Sequence, residues 1–525
     1  MGLLGVGGKG RRLDCGSFHF PPTSPLQLLF PPSARDRTSW VLALVFGLHA
    51  VLGAVIGLSV DEAHYLLYAV HPALSYFDHP PLVGWVQWPL VALGAPVGVL
   101  RLIPGVLWLA TVWGVYRLTL RWLAGQAHAA PSALGAVLAL VLAPLLHVLG
   151  IGLLPDTLLM ALTVALVHQT WTLMQPGAAG RTAPWLVLGL LLGLAGLAKY
   201  TAAFTAVAVA LCIVGAQGWG VLRRPALWAA VGVAALLITP VLVWNAQNHW
   251  ISFTYQLAHG KGSVWQASHV LRFVLTQLLA FGPLLWCAVV GWRQADRRLR
   301  PLAWLFVIPF AIFTYMAGGG TALPHWTAPS WVALAPFAGM GLVALWRGAT
   351  RWLLAALGLA QALACAGLLG LMASAGWPVV AGSDAAVAPQ ANPFADLHGW
   401  DVAGARAIEL AQQQGLQSVA VQNWTLGSRL AWYARPLPLH VLEDGDSQFQ
   451  LWTGALPQGG NTLLVDWSYM AYDPPLGAQG FASCTLLDSL PVAHWGRPLA
   501  RFRFHDCRDW AGATPQPRLT LAPLP

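Results

Sequence analysis

Hydrophobic runs of about 20 residues recur from Trp40 to Met372, and this recurrence limits the fold more than any other feature of the chain. An α-helix needs about 20 apolar residues to cross the hydrocarbon core of a bilayer. Charged residues make up only 9% of the chain, whereas soluble domains carry roughly 25%. The sequence therefore predicts a mainly α-helical, polytopic membrane protein.

The arginines between these runs predict how the chain crosses the membrane. They concentrate in every second loop, and loops rich in arginine stay in the cytoplasm. We therefore expect a cytoplasmic N-terminal lead-in at 1–38 and a transmembrane domain at 39–373. We count about eleven spans, which place the C-terminus outside. They lie near 39–58, 97–118, 131–150, 154–174, 184–198, 201–217, 227–244, 270–291, 302–317, 327–346 and 352–373.

The composition changes in the tail, residues 378–525, because twelve of the nineteen carboxylates follow Val380. Residues 418–422, 462–467 and 499–504 have the pattern of strands, and 404–413 that of a helix. These patterns predict a C-terminal, extracytoplasmic α/β domain. Outside the cell a disulfide between Cys484 and Cys507 is permitted.

Acidic residues are rare in the hydrophobic part of the chain, where each costs roughly 2.5–3.5 kcal/mol at the centre of a span. Only five acids lie between Trp40 and Val380. One of them, Asp296, lies in an arginine-rich loop and is explained as a solvated partner of those arginines. The other four fall at predicted outer ends of spans: Asp61, Glu62, Asp78 and Asp156. Four acids at one membrane face favour a catalytic site, and the alternative is a set of solvated loop residues.

Basic side chains are predicted on the same side of the membrane. Lys199 follows the fifth span, where its ammonium either binds a phosphate as a point charge or extends harmlessly to the interface. The further candidates for a phosphate are His79, Arg272 and His325. Acids for proton transfer beside cations for a phosphate suit group transfer from a phosphorylated lipid.

Metal binding is an alternative for part of this region. The residues concerned are His64, His71, His79 and Asp61. A single loop histidine more often forms hydrogen bonds, so we assign no metal and no other cofactor, with a divalent cation as the alternative. The net charge of +9 does not indicate nucleic acid, because the basic residues are spread over short loops and form no single face.

Five short motifs lie in order at the predicted outer face: VDEAHY at 60–65, LSYFDHPPL at 74–82, PD at 155–156, GLAKY at 196–200 and LPHW at 323–326. Together they resemble the GT-C glycosyltransferases, most closely the family 39 branch. That branch includes protein O-mannosyltransferases and the bacterial enzymes that add aminoarabinose to lipid A. The resemblance covers roughly residues 40–350 and implies a GT-C helical bundle in the bacterial inner membrane.

The resemblance also implies the activity, which is transfer of a sugar from a polyprenyl-phosphate donor to a lipid, glycan or protein acceptor. In the family, the first acid of the first outer loop is the catalytic candidate, which here is Asp61. The other acidic motif positions are Glu62, Asp78 and Asp156. The implied substrate-loop residues are His64, Tyr65, Tyr76, Pro80 and Pro81. The aminoarabinose enzymes usually carry lysine where this chain has His79, which affects the donor-phosphate contact and the sugar specificity. A single displacement predicts inversion at the anomeric carbon.

Three other functions stay open on the sequence. A transporter or flippase of a lipid-linked substrate would also place charges near the membrane, but it often shows internal repeats and midplane polar residues, which we do not find. A nucleotide-sugar transferase could use Asp444-Gly445-Asp446 as a metal motif, although the topology places that motif outside the cell. A scaffold whose tail binds a partner is the third.

Overall fold

The computed structural model describes residues 34–376, 392–443 and 447–512. Helices α1 to α17 form a bundle. Their bounds are α1 Ala34–Val55, α2 Val60–Val70, α3 Leu82–Ala92, α4 Val97–Leu100, α5 Leu102–Trp122, α6 Ala129–Val141, α7 Pro144–Ile151, α8 Pro155–Leu173, α9 Thr182–Ala198, α10 Ala202–Gln217, α11 Pro225–Gln247, α12 Ile251–Lys261, α13 Ala267–Phe281, α14 Leu284–Gln294, α15 Trp304–Ala317, α16 Ala328–Leu345 and α17 Thr350–Ser374.

The helices agree in position with the predicted hydrophobic runs, but the count of eleven spans is not confirmed. By length and composition, six helices of the described chain can cross a membrane, or eight if each bent pair counts as one span. Helices α9 and α10 are apolar but only 17 and 16 residues long. Helix α1 begins earlier than the predicted lead-in boundary, with Asp36 in its first turn, where a carboxylate suits the helix dipole.

Two predicted spans are bent pairs of helices. Helices α6 and α7 meet at 75°, and α13 and α14 meet at 79°. Proline explains both bends, because it cannot donate to the helical ladder: Pro144 opens α7 and Pro283 precedes α14. At the first bend the ring of His147 hydrogen-bonds the carbonyl of Val141 at 2.7 Å, so a carbonyl at the break keeps a partner.

The tail folds as a five-stranded mixed sheet with helices, as the predicted α/β domain requires. Its elements are α18 Trp400–Gln413, β1 Val419–Val421, α19 Trp424–Tyr433, β2 Leu439–Val441, α20 Gln448–Trp452, β3 Thr462–Trp467, β4 Phe481–His494 and β5 Arg497–Trp510. The strand order is β2-β1-β3-β5-β4, with β1 parallel to β2 and β3, and β5 antiparallel to β3 and β4. A disulfide joins Cys484 and Cys507 across β4 and β5. The proposed boundary at residue 378 and the motif at 444–446 lie outside the described residues.

Helix α2 connects the bundle to the tail through a shared core. Its residues Ala63, Leu66 and Leu67 are buried in one cluster with Leu426 and Leu430 of α19. These three positions form one helical face, since residues three and four apart lie together. The tail therefore packs directly on the first loop of the bundle, and the opposite face of α2 is turned to the other helices.

Candidate active site

Helix α2 presents Asp61, His64, Tyr65 and Tyr68 on one face, because these positions follow the spacing i, i+3, i+4 and i+7. The helix starts with a capping box, in which the Ser59 side chain accepts from the backbone of Glu62 and the Glu62 side chain accepts from the backbone of Ser59. This cap fixes the first turn of α2 and thereby the position of Asp61.

Glu62 is held by a buried guanidinium. Nε and Nη2 of Arg101 each donate to its carboxylate at 2.8 Å. Arg101 also donates to the carbonyls of Gly53, Ile56 and Gly57, which follow or end helix α1. Because both charges are used in fixing the turn between α1 and α2, the geometry gives Glu62 a positioning role.

Asp78 is held by the aromatic face of α2. The Tyr68 hydroxyl donates to its carboxylate, and Nε2 of His64 lies 3.6 Å from the same oxygen. Nδ1 of His64 contacts the Ser428 hydroxyl of the tail at 3.1 Å. Burial raises the pKa of Asp78, but His64, His79 and the Tyr68 hydrogen bond outweigh it, so its pKa lies well below the usual range. Asp78 is therefore a carboxylate with fixed charge.

Asp156 forms a buried ion pair with Lys199. The ammonium lies 2.7 and 2.6 Å from the two carboxylate oxygens, and Nε2 of His325 lies 3.7 Å from one of them. Pro155 starts helix α8, which places Asp156 in the first turn, where the helix dipole favours a carboxylate. The Trp326 ring packs 5.2 Å from the ammonium. The predicted neighbours Asp156, Lys199 and His325 are thus brought together.

Asp61 differs from these three acids. Among the described residues its carboxylate has no hydrogen bond or ion pair, and it is partly exposed. Burial among protein atoms raises its pKa to about 6; His64 and Lys199 favour the charged form, whereas Asp78 and Asp156 oppose it. A carboxylate with a raised pKa and no protein partner is suited to accept a proton near neutral pH.

A Pro-Pro segment follows Asp78 and His79. Pro80 and Pro81 are buried, and Pro81 leads into α3. The ring of His79 packs against Tyr65 at 5.4 Å, and its buried Nδ1 has no hydrogen-bond partner in the described chain. Burial lowers the pKa of His79 to about 4, so it is neutral at pH 7 before a ligand binds. A buried, unpartnered ring nitrogen is a candidate for contact with a substrate.

The loop between α2 and α3 is fixed from both sides. The Tyr76 hydroxyl donates to the carbonyl of Tyr68 at 2.7 Å and accepts from the backbone of Ala73 at 3.0 Å. The Gln448 amide oxygen of the tail accepts from the backbone of Phe77 at 2.7 Å. Tyr76 therefore has a structural role in the loop, and the tail holds the segment that carries Asp78.

Arg272 is not brought to this cluster. Its side chain is exposed on α13 and makes no ion pair within the described residues. The structure likewise gives no group of three His, Cys, Asp or Glu side chains that could hold a metal ion among the residues it describes. The candidate site accordingly consists of the α2 face, Asp78 with His79, and the Asp156 ion pair.

Sequence reasoning missed the partners of the acids: Tyr68, Arg101, Ser428 and Gln448. Two of these residues could have been found from the sequence. Arg101 stands at the predicted outer end of a span, where arginine is unusual, and Tyr68 lies seven residues after Asp61 on the same helical face. Ser428 and Gln448 are more than 360 residues from their partners, and only the tertiary fold brings them close.

The whole architecture is similar to that of a solved protein. ArnT from Cupriavidus metallidurans, in the apo state, superimposes with a TM-score of 0.60 over 92% of this chain and 100% of that chain, at 18% sequence identity. The same protein bound to undecaprenyl phosphate gives a TM-score of 0.60 at 16% identity. This likeness shows that the chain has the ArnT-like GT-C fold. The predicted GT-C resemblance is confirmed at that level.

Sequence comparisons of this GT-C-type chain agree with the fold. Residues 78–244 match the family model described as dolichyl-phosphate-mannose-protein mannosyltransferase. Two relatives come from Rhizobium johnstonii. The lipid A galacturonosyltransferase RgtD is 24% identical, with 52% of this chain and 58% of the relative covered; the lipopolysaccharide core galacturonosyltransferase RgtA is 31% identical, with 40% and 41% covered. The chain thus spans about half the length of the curated relatives it matches.

Proposed function

We propose that this protein transfers a sugar from a polyprenyl-phosphate donor to a glycolipid acceptor at the outer face of the bacterial inner membrane. The observation that carries the proposal is the carboxylate of Asp61, which has no hydrogen bond or ion pair with any residue that the structure describes. The three acids around it are each held by a partner, namely Arg101, His64 with Tyr68, or Lys199. Asp61 is free to act on a substrate.

In the proposed reaction an acceptor hydroxyl attacks the anomeric carbon of the donor. The hydroxyl proton passes to the Asp61 carboxylate, the bond between the anomeric carbon and the phosphate oxygen breaks, and the polyprenyl phosphate leaves with the electron pair. A general base of this kind contributes roughly 10²- to 10⁴-fold to the rate. Attack opposite to the leaving group inverts the anomeric configuration. Water that reached the same carbon would compete, and the buried loop of α2 and α3 limits its access.

Lys199 is the proposed contact for the leaving phosphate. Its ammonium has three N–H donors. It donates to both carboxylate oxygens of Asp156, so one N–H remains for a phosphate oxygen. Asp156 would hold the ammonium in position while Lys199 stabilises the negative charge that grows on the leaving group. His325, beside the same carboxylate, is a second donor for this phosphate when protonated.

His79 is proposed to bind the phosphate with uptake of a proton. Its ring is neutral at pH 7, and the negatively charged phosphodiester of the donor beside it would raise its pKa, because a nearby opposite charge favours the charged form. The carboxylates of Asp156 and Asp61 both act on Lys199, so added positive charge is needed to bind an anion there. Donor binding should therefore be tighter at lower pH.

The relatives and the fold support the substrate classes. The solved ArnT binds undecaprenyl phosphate, and both Rhizobium relatives are named as transferases to lipid A or the lipopolysaccharide core. We therefore propose a polyprenyl-phosphate sugar as donor and an envelope glycolipid as acceptor. The proposed orientation has the N-terminus in the cytoplasm and the tail outside, as the arginine distribution predicts.

The test is a transfer assay with full-length protein in detergent, radiolabelled undecaprenyl-phosphate sugars and a bacterial glycolipid extract. We expect label in the glycolipid with wild type and a loss of at least about 100-fold with Asp61→Asn. Asp296→Asn, an acid of the arginine-rich loop, is the matched control and should keep full activity. Equal transfer by wild type and Asp61→Asn would refute the assignment of the base. No transfer with any donor, from folded protein, would refute the transferase proposal.

A further inference from the structure

A partly buried cavity lies between the tail and the first loop of the bundle, and the proposed mechanism does not use most of its lining. It measures about 120 Å³, roughly ten times the space that one ordered water needs. Its lining combines both domains: His64, Phe77, Asp78, Tyr255, Trp424, Glu443, Ser447, Gln448 and Phe449. Because His64 and Asp78 belong to it, the cavity borders the candidate active site.

Two polar side chains of the tail face this cavity without a side-chain partner. Glu443 has no ion pair within the described residues, although the backbone N–H of Trp424 favours its charged form. Burial raises the pKa of Glu443 to about 7. The buried Oγ of Ser447 has no hydrogen-bond partner in the described chain. An unsatisfied buried hydroxyl such as that of Ser447 is costly, and in a cavity at an active site it indicates a ligand that satisfies it.

The opposite wall of the cavity is aromatic. The rings of Phe77 and Tyr255 pack at 4.6 Å, and Trp424, 36% exposed, contacts the ring of His64 at 5.6 Å. Aromatic side chains beside a few polar groups are the usual make-up of a small-molecule site. Sugar rings have this double character, since their C–H faces are apolar and their hydroxyls are donors and acceptors.

The charges in the cavity select against an anion. Glu443 and Asp78 contribute carboxylates, no lysine or arginine among the described residues lines the cavity, and the ring of His64 is already paired with Asp78 at 3.6 Å. A phosphate or a carboxylate bound here would meet like charge without a cation in contact. The ligand therefore has to present hydroxyl or amino groups at this point.

From this geometry we infer that the cavity is the subsite for a sugar ring of the acceptor glycan, with Trp424 stacking on the ring and Glu443 and Ser447 accepting and donating hydrogen bonds to its hydroxyl or amino groups. The inference deepens the proposed function by assigning the tail to acceptor recognition. Trp424, Glu443 and Ser447 are positioning residues for the acceptor and take no part in cleaving the donor.

The test measures binding without donor, so its outcome does not depend on transfer. Full-length protein in detergent is titrated with the unphosphorylated glucosamine disaccharide, and binding is followed by saturation-transfer NMR. Glu443→Gln should raise Kd about 10- to 100-fold, since hydrogen bonds to a charged group contribute about that much. Trp424→Ala should also raise Kd, because it removes the aromatic surface on which the sugar ring stacks. Ser447→Ala removes an unpartnered hydroxyl, so it should leave folding unchanged and still weaken binding.

Glu409→Gln and Trp495→Ala are the matched controls, because both side chains are exposed on the same domain, and they should bind like wild type. Binding that falls with the cavity variants while transfer is absent would support the subsite and refute only the proposed function. Unchanged Kd in Glu443→Gln and Ser447→Ala, or no saturable binding to wild type, would overturn the subsite. If wild type is active in transfer, an unchanged acceptor KM in Glu443→Gln would also overturn the subsite.

Discussion

Breaking the buried Glu62–Arg101 pair tests whether Glu62 is a catalytic or a positioning acid. Both side chains are buried, at 7% and 5% exposure. Removing one partner of a buried ion pair costs about 3–5 kcal/mol, because the remaining charge is left uncompensated. The structure predicts which single change costs more, since the two charges keep different numbers of other partners.

In Glu62→Gln the guanidinium keeps three carbonyls, those of Gly53, Ile56 and Gly57, so we expect a cost near 3 kcal/mol. In Arg101→Gln the carboxylate keeps, among the described residues, the backbone and hydroxyl of Ser59 alone, so we expect a cost near 5 kcal/mol. The double variant buries no unpaired charge, and its cost should lie well below the sum of the two.

The assay is thermal unfolding of the purified protein in detergent, followed by tryptophan fluorescence. About 2.1 cal/mol/K per residue over 525 residues gives an unfolding entropy near 1.1 kcal/mol/K. The single variants should then lower Tm by about 3 to 5 °C, Arg101→Gln by the larger amount. Transfer activity is measured alongside, and Glu62→Gln should keep the pH profile of wild type. Additive costs, or a Glu62→Gln protein as inactive as Asp61→Asn at unchanged Tm, would refute the positioning role.

Three further predictions concern the site itself. Because the base acts as the carboxylate and burial raises the pKa of Asp61 to about 6, transfer should rise from pH 5 to pH 7 with a midpoint near 6 and then level off; a profile flat across that range contradicts the assignment. Lys199→Gln should weaken binding of undecaprenyl phosphate about 10- to 100-fold, measured by partition of the radiolabelled lipid, and Lys199→Gln with Asp156→Asn should bind no better. Binding of the same lipid should strengthen as pH falls from 8 to 6, because His79 takes up a proton on binding, and His79→Gln should reduce this dependence; an identical dependence in the variant excludes His79 as the proton acceptor.

Local sequence patterns predicted the secondary structure of the bundle and much of the tail. Apolar runs became helices, and residues 462–467 became β3 as predicted. Strands at 418–422 and 499–504 were found as β1 and within the longer β5, and the helix at 404–413 is the larger part of α18. These features depend on neighbours a few residues away, so the sequence contains the information. The number of spans depends on bends and short helices, which hydropathy does not resolve.

The sequence by itself determined that this chain is a polytopic membrane protein, and it gathered Asp61, Asp78, Asp156 and Lys199 at one predicted face, because charge is so costly in a bilayer that the few acids retained there stand out. Only the tertiary structure decided the different roles of those acids. Glu62 neighbours Asp61 in sequence, yet the helical turn directs it to Arg101 and leaves Asp61 without a partner in the described part of the chain. The acids pair with side chains that lie tens or hundreds of residues away in the sequence, and no local sequence pattern predicts which residues come together.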